Sequence, residues 1–315
     1  MNIRLAKVRG FCAGVDRAIE IVKKVLEING SPVYVKHEVV HNKTVVDELS
    51  SMGAIFVEDL RDIPNDEVVI YSAHGVSRKV QDDSKKKKLD VFDATCPLVS
   101  KVHSEVKSFT KLGYDCVLIG HRNHPEVEGT MGQFDSSQGR SIYLVEEKKD
   151  LDKLKNLDEN RLAYVTQTTL SIDDTREITE SLIKMFPKIK GPRKDDICYA
   201  TQNRQDAVKQ LALESDIVLV VGSIASSNSN RLREIAERSG VDSYLIDSYK
   251  ELNPKWLKGK REVGVTSGAS APEHLVQNLI SHLKNNFGYR LITPEDRVEE
   301  GMYFRLPKGL REVSL

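Results

Sequence analysis

Three of the four cysteines in this 315-residue chain share one local setting. Cys12 follows IRLAKVRGF, Cys96 follows LDVFDAT and Cys198 follows PRKDDI, and each is succeeded by residues at helical spacing. Thiolates are soft ligands that select zinc or iron–sulfur centres, and three of them without an equivalent fourth leave one coordination position open to water or substrate. No two form a CxxC pair. The plain alternative is three small buried residues that happen to recur. Cys116 differs, because it lies inside the apolar strand YDCVLIG, and it reads as a packed core residue.

The polar residues with chemical potential lie just past strand-like runs: VYVKHEVVHN (33–42), CVLIGHRNHPE (116–126), IVLVVGSIASSNS (217–229), and again VVIYSAHGVS (68–77), LAYVTQTTLS (162–171) and VGVTSGASAP (263–272). They supply His41, His74 and His124 with Thr168, Thr169, Ser226, Ser227, Asn228 and Ser270. Small donors beside strand-to-helix turns form an anion cradle, since the first amides of a helix lack partners and its dipole favours negative charge. The stretch SSNSN also suits plain N-capping of the next helix, a role compatible with ligand binding. Glu126, two residues after His124 in HPEVEG, suits a proton donor, whereas Glu128 reads as solvent-facing or helix-starting. Asp93 and Asp196, ahead of two of the cysteines, read as acceptors for backbone amides. There is neither a GxxxxGK[ST] nor a GxGxxG pattern, which argues against ATP and dinucleotides.

The elements that must position these residues come in three copies. Cys12 to His41, Cys96 to His124 and Cys198 to Asn228 span 29, 28 and 30 residues, and Cys12 to His74, Cys96 to Thr168 and Cys198 to Ser270 span 62, 72 and 72. Helical spacing follows each cysteine, as in Val15, Ala18, Ile19, Val22, Val25 and Leu26, then Val99, Val102, Val106 and Phe109, then Ala207, Val208 and Leu211. Pro97 suits the first turn of a helix. The expected architecture is therefore α/β: three similar units with small, mostly parallel sheets, arranged with pseudo-threefold symmetry around a central cavity. The units are placed at 13–96, 97–197 and 198–286. Residues 1–12 carry an N-terminal strand that completes the third unit, and 287–315 form a tail without a motif. Loops at the carboxyl ends of parallel strands would then carry the site.

Composition narrows the partners. Lys+Arg and Asp+Glu both number 47, so the chain has a net charge of +0, which argues against nucleic acid or an anionic membrane as main partner. Runs such as Ile217–Val221 are too short to span a bilayer, and the segment MNIRLAKVRG lacks the apolar core of a signal peptide. Cysteine usage fits reduced thiols and a cytoplasmic setting. The lysine run 85–88 reads as a solvated helix end.

GFCAGVDRAI, HEVVHN, SAHGVS, FDATCPLV, HPEVEGTMGQ, TQTTLS, GPRKDDICYATQNRQ, SSNSNRL and TSGASAP together resemble the 4-hydroxy-3-methylbut-2-enyl diphosphate reductase family, in the family's order from residue 10 to 272. The resemblance implies the last step of the methylerythritol phosphate route: reductive removal of the allylic hydroxyl to give isopentenyl and dimethylallyl diphosphate. It implies one [4Fe–4S] cluster on Cys12, Cys96 and Cys198, with an open iron that binds the substrate hydroxyl. Glu126 would deliver the proton, supported by Thr168 and His124. His41, His74, His124, Ser226, Ser227, Asn228 and Ser270 would hold the diphosphate, and ferredoxin or flavodoxin would supply two electrons. From the residues alone, a zinc hydrolase or lyase on the same thiolates, or a phosphate-binding module without redox chemistry, remain the competing classes.

Overall fold

The computed structural model describes residues 1–293, 298 and 300–310, in which strands and helices alternate. β1 (Asn2–Leu5) leads into α1 (Ala13–Asn29). A first set runs β2 (Val33–Lys36), α2 (Lys43–Ser51), β3 (Ala54–Val57), β4 (Val68–Tyr71), α3 (Arg78–Lys86) and β5 (Asp90–Asp93). After α4 (Pro97–Lys111), a second set runs β6 (Asp115–Ile119), α5 (Pro125–Met131), β7 (Ile142–Val145), β8 (Leu162–Thr166) and α6 (Ile172–Met185). After α7 (Tyr199–Leu213), a third set runs β9 (Ile217–Val221), α8 (Ser227–Arg238), β10 (Asp242–Ile246), β11 (Glu262–Ser267), α9 (Glu273–Phe287) and β12 (Arg290–Leu291).

The strands form three wholly parallel sheets that repeat one order. The first is β3-β2-β4-β5, the second β7-β6-β8 and the third β10-β9-β11-β1-β12. In the second sheet the place after β8 is taken by Lys190, in a parallel bridge to Ala163. β1 lies beside β11, with Ile3 opposite Val263 and Leu5 opposite Val265, so the N-terminal strand completes the third sheet as its sequence implied. β12 extends that sheet from the segment expected to be a motif-free tail. The α/β class with small parallel sheets is thus what the chain adopts.

Contacts group the chain into two units. One comprises Met1–Asp16, His41–Asp47 and Tyr199–Tyr303 and contains the third sheet; the other comprises Arg17–Val40, Glu48–Cys198 and Phe304–Leu315 and contains the first two. In the former, the fully buried β9 turns Ile217, Leu219 and Val221 toward the residues of α9 and Val218 and Val220 toward those of α7 and α8. That two-sided burial is what a continuous apolar run means in a parallel sheet. α9 contributes Leu275, Val276, Leu279, Ile280 and Leu283, one helical stripe. In the latter unit, β6 likewise splits Val117 and Ile119 from Cys116 and Leu118 into two cores. Val99, Val102 and Val106 are buried on α4 and Phe109 packs at the edge, matching the spacing read from sequence.

Candidate active site

Cys12, Cys96 and Cys198 each sit immediately ahead of a helix, α1, α4 and α7, and each is half-buried. The first helical bonds start on their carbonyls: Asp16 donates to Cys12 O at 3.0 Å and Ser100 to Cys96 O at 2.9 Å. Their own amides repeat one bond. Cys12 N donates to Ala269 O at 3.3 Å, Cys96 N to Ala73 O at 3.0 Å and Cys198 N to Thr168 O at 3.0 Å. Each acceptor lies just past the strand that precedes, in its sheet, the segment leading to that cysteine: β11, β4 and β8. A thiol at a helix N-terminus faces unpaired amides that favour its charged form. At Cys12, burial pushes the thiol's pKa up, opposed by the Arg204 charge and the amides of Val15 and Gly14, with Glu300 adding to the rise. No disulfide links any of the four cysteines among the described residues. Cys116 is fully buried in the β6 core, where burial pushes its thiol far up, so it is the packing residue the sequence implied.

In the unit with the first two sheets, Glu126 lies in the first turn of α5 and is buried. Its Oε1 accepts the Thr168 amide at 2.7 Å and its Oε2 the Thr168 hydroxyl at 3.0 Å. Burial raises its pKa to about 7, which outweighs the lowering by the two Thr168 bonds; the charge of Asp196 raises it further. His124 caps the same helix, its Nδ1 accepting the Glu126 amide at 3.2 Å. An accepting Nδ1 places the proton of the neutral ring on Nε2. The His74 ring stands 5.8 Å from that of His124, edge to face. Glu126, His124, Thr168, Cys198 and His74 are thus brought together, and the bond to Ala73, the neighbour of His74, ties Cys96 to them. Asp93 Oδ1 accepts the Thr95 amide at 2.9 Å and Asp196 Oδ2 the Thr166 amide at 2.9 Å, the backbone role read for both.

In the unit with the third sheet, Ser226 caps α8 by accepting the Ser229 amide at 3.2 Å, and Ser227 opens the helix. Asn228 is buried and its Oδ1 accepts the Ala269 amide at 2.9 Å. Among the described residues its Nδ2 meets no acceptor, a donor whose burial is costly unless a ligand completes it. Ser270 Oγ donates to His41 O at 3.1 Å. Cys12, Asn228, Ser270 and His41 therefore form a second connected set through the 269–270 loop. The loop approaches α8 so closely that a Cβ on Gly268 would collide with the Ser229 hydroxyl, as would one on Gly222 just past β9.

Other residues join these sets without having been singled out in sequence. His37, the first histidine of KHEVVHN, has its ring 5.7 Å from that of His74 and its Nδ1 2.8 Å from Glu58 Oε1. Its backbone is left-handed at φ 65, a strained conformation for a non-glycine residue that clusters at functional positions. Ser72 Oγ lies 3.4 Å from His74 Nδ1. No described helix is long and apolar enough to cross a membrane.

Known proteins resemble this chain over nearly its whole length. The chain matches the family described as LytB protein over residues 3–284. It is 60% identical over 311 residues to the 4-hydroxy-3-methylbut-2-enyl diphosphate reductase of Marinobacter nauticus, covering 99% of this chain and 98% of that one. It is 57% identical over 315 residues to the same-named protein of Ectopseudomonas mendocina, covering 100% of both. A solved E-1-hydroxy-2-methyl-but-2-enyl-4-diphosphate reductase from Plasmodium falciparum superimposes with a TM-score of 0.93 at 42% identity, over 98% of this chain and 96% of that one. A solved (E)-4-hydroxy-3-methyl-but-2-enyl diphosphate reductase, described as the terminal enzyme of the non-mevalonate pathway, superimposes with a TM-score of 0.64 at 32% identity, over 90% of this chain and 99% of that one. With a match that spans nearly every element described above, this chain belongs to the LytB family.

Proposed function

We propose that the chain is a 4-hydroxy-3-methylbut-2-enyl diphosphate reductase that replaces the allylic hydroxyl by hydrogen, giving isopentenyl and dimethylallyl diphosphate. The observation that carries this reading is one residue, Thr168. It holds the buried acid Glu126 through its amide and hydroxyl, and it holds the backbone of Cys198 through its carbonyl. An acid and a candidate metal ligand are thereby fastened to one strand end.

The donor set fits an iron–sulfur group. Cys12, Cys96 and Cys198 are half-buried, outside disulfides, and placed at helix starts where amides offer bonds to sulfur. These three would hold a [4Fe–4S] cluster, which when bound supplies electrons and a Lewis-acid site for the substrate oxygen. Two electrons enter from an external carrier of the ferredoxin or flavodoxin kind, in keeping with the lack of a GxGxxG motif.

This chain's own residues do the rest. Glu126, half protonated near neutrality, gives its proton at a carboxyl oxygen to the departing hydroxyl, with Thr168 Oγ as the adjoining relay. The C–O bond breaks, water leaves, and a second proton completes either allylic carbon. Asn228 Nδ2, Ser226, Ser227, Ser270, His41, His74 and His124 bind and orient the diphosphate. The set holds no lysine or arginine. The three repeats, 13–96, 97–197 and 198–286 with 1–12, each contribute one cysteine-led helix to this scheme.

Anaerobic protein reconstituted with iron and sulfide, given the allylic diphosphate and a chemical reductant, is expected to release both isoprenoid diphosphates with one water per two electrons. Hydrolysis of the diphosphate without electron uptake would reject the reading in favour of a hydrolase.

A further inference from the structure

The loops leading to Cys12, Cys96 and Cys198 are each held by a cation from the helix headed by another of these cysteines. On α1, Arg17, five residues beyond Cys12, donates Nη1 to Thr95 O at 3.1 Å and Nη2 to Asp93 O at 3.5 Å, ahead of Cys96. On α4, Lys101, five residues beyond Cys96, donates Nζ to Lys194 O at 2.6 Å, Asp195 O at 3.1 Å and Asp196 Oδ1 at 2.9 Å, ahead of Cys198. On α7, Arg204, six residues beyond Cys198, donates Nη2 to Gly10 O at 2.7 Å and Phe11 O at 3.4 Å, ahead of Cys12. The helix of Cys12 holds the loop of Cys96, the helix of Cys96 that of Cys198, and the helix of Cys198 that of Cys12.

A loop between strand and helix leaves carbonyls without ladder partners, and one cation can satisfy several of them through charge-assisted bonds. Arg204 is wholly buried, yet its charge is met by Glu300, whose Oε1 and Oε2 lie 3.1 and 3.0 Å from Nη1. Arg17 donates a further bond from Nε to Arg305 O at 3.0 Å, which fixes its own fork. Three unrelated pairs would not repeat an offset of five or six residues, loop carbonyls as acceptors and one cyclic order.

We propose that Arg17, Lys101 and Arg204 are positioning residues that hold the three sulfur ligands as one set, each ligand's helix fixing the next ligand's loop. This rests on the reading of Cys12, Cys96 and Cys198 as cluster ligands. Outer partners of metal ligands contribute about 10- to 100-fold to metal retention.

The test uses full-length Arg17→Met, Lys101→Met and Arg204→Met, reconstituted anaerobically, and reads iron release to a ferrous chelator, the paramagnetic resonance spectrum of the reduced protein and the melting midpoint. Arg140→Met, which breaks the 3.0 Å Arg140–Asp115 pair away from these loops, reports plain loss of stability. The proposal expects iron release about tenfold faster and an altered resonance line shape in all three clamp variants. Arg140→Met should release iron at the wild-type rate, and Arg17→Lys, Lys101→Arg and Arg204→Lys should recover part of the retention. Where a Met variant does not fold, its conservative counterpart decides, with release still faster than wild type. Unchanged release in any of the three positions, or equal acceleration by Arg140→Met, overturns the proposal. Should Cys12→Ser, Cys96→Ser and Cys198→Ser all retain full iron, the ligand reading itself fails instead.

Discussion

Thr168 gives Glu126 both of its donors, the amide to Oε1 at 2.7 Å and the hydroxyl to Oε2 at 3.0 Å. Both bonds favour the carboxylate, yet burial wins and leaves the acid near neutrality. A carboxyl poised there can give up a proton at working pH and be recharged. Glu126→Gln keeps the shape and one acceptor but has no proton to give. Turnover is expected to fall by about 10²- to 10⁴-fold with iron content unchanged, as read by steady-state assay and iron analysis. Turnover within a few-fold of wild type would remove Glu126 from the role.

The same acid sets a pH dependence with a definite sign. Its folded pKa of about 7 lies above the ordinary 4.5, so the folded chain binds the proton more tightly than the unfolded chain. Stability from this group is fully present below about pH 4.5 and is lost as pH rises through about 7, by at most about 3 kcal/mol. Denaturant titrations at about pH 5 and pH 8 should show wild type losing stability relative to Glu126→Gln. A difference independent of pH would contradict the assignment.

Thr168→Val removes the hydroxyl bond that favours the carboxylate. The acid's pKa should rise, and the alkaline fall of kcat should move to higher pH, alongside a lower maximum from the lost relay. A limb that stays put or moves down would show that the hydroxyl does not hold Glu126.

The cysteines should divide three to one. Cys96→Ser is expected to cost iron binding, whereas Cys116→Ala, in the packed β6 core, should keep full iron content and lose about 1 kcal/mol or more of stability. Equal iron loss from both would mean that folding, not ligation, is being read.

That division was legible in the sequence because it is local: a thiol inside YDCVLIG has nowhere to go but the core, while Cys12, Cys96 and Cys198 each stand between a strand-like run and a helical period. The partner of the N-terminal strand could be read as well, since the repeat demands a strand beside β11. What could not be read depends on contacts between distant segments. Arg204 meets Gly10 across 194 residues, and the apolar spacing of Ala207, Val208 and Leu211 on α7 gives no sign that the polar Arg204 and Gln205 are buried along with Val208 and Leu211. The carbonyl of Thr168 meeting Cys198 is equally invisible, because backbone bonds leave no mark on residue type. β12 escaped because two residues, Arg290 and Leu291, are too short to show a strand pattern.

Gly268→Ala should destabilise by placing a methyl against the Ser229 hydroxyl, and Ser229→Ala in the same chain should restore much of the loss. Thermal melts of the single and double variants check this. Additive losses would mean that the contact does not govern the 269–270 loop.

Mössbauer spectroscopy of the anaerobic, iron-57-loaded protein, before and after the allylic diphosphate is added, asks the central question most directly. A cubane-type cluster is expected, lost on Cys12→Ser, Cys96→Ser or Cys198→Ser, with one iron's signal changing when substrate binds. Zinc in place of iron, or a cluster spectrum indifferent to both substrate and these substitutions, would contradict it.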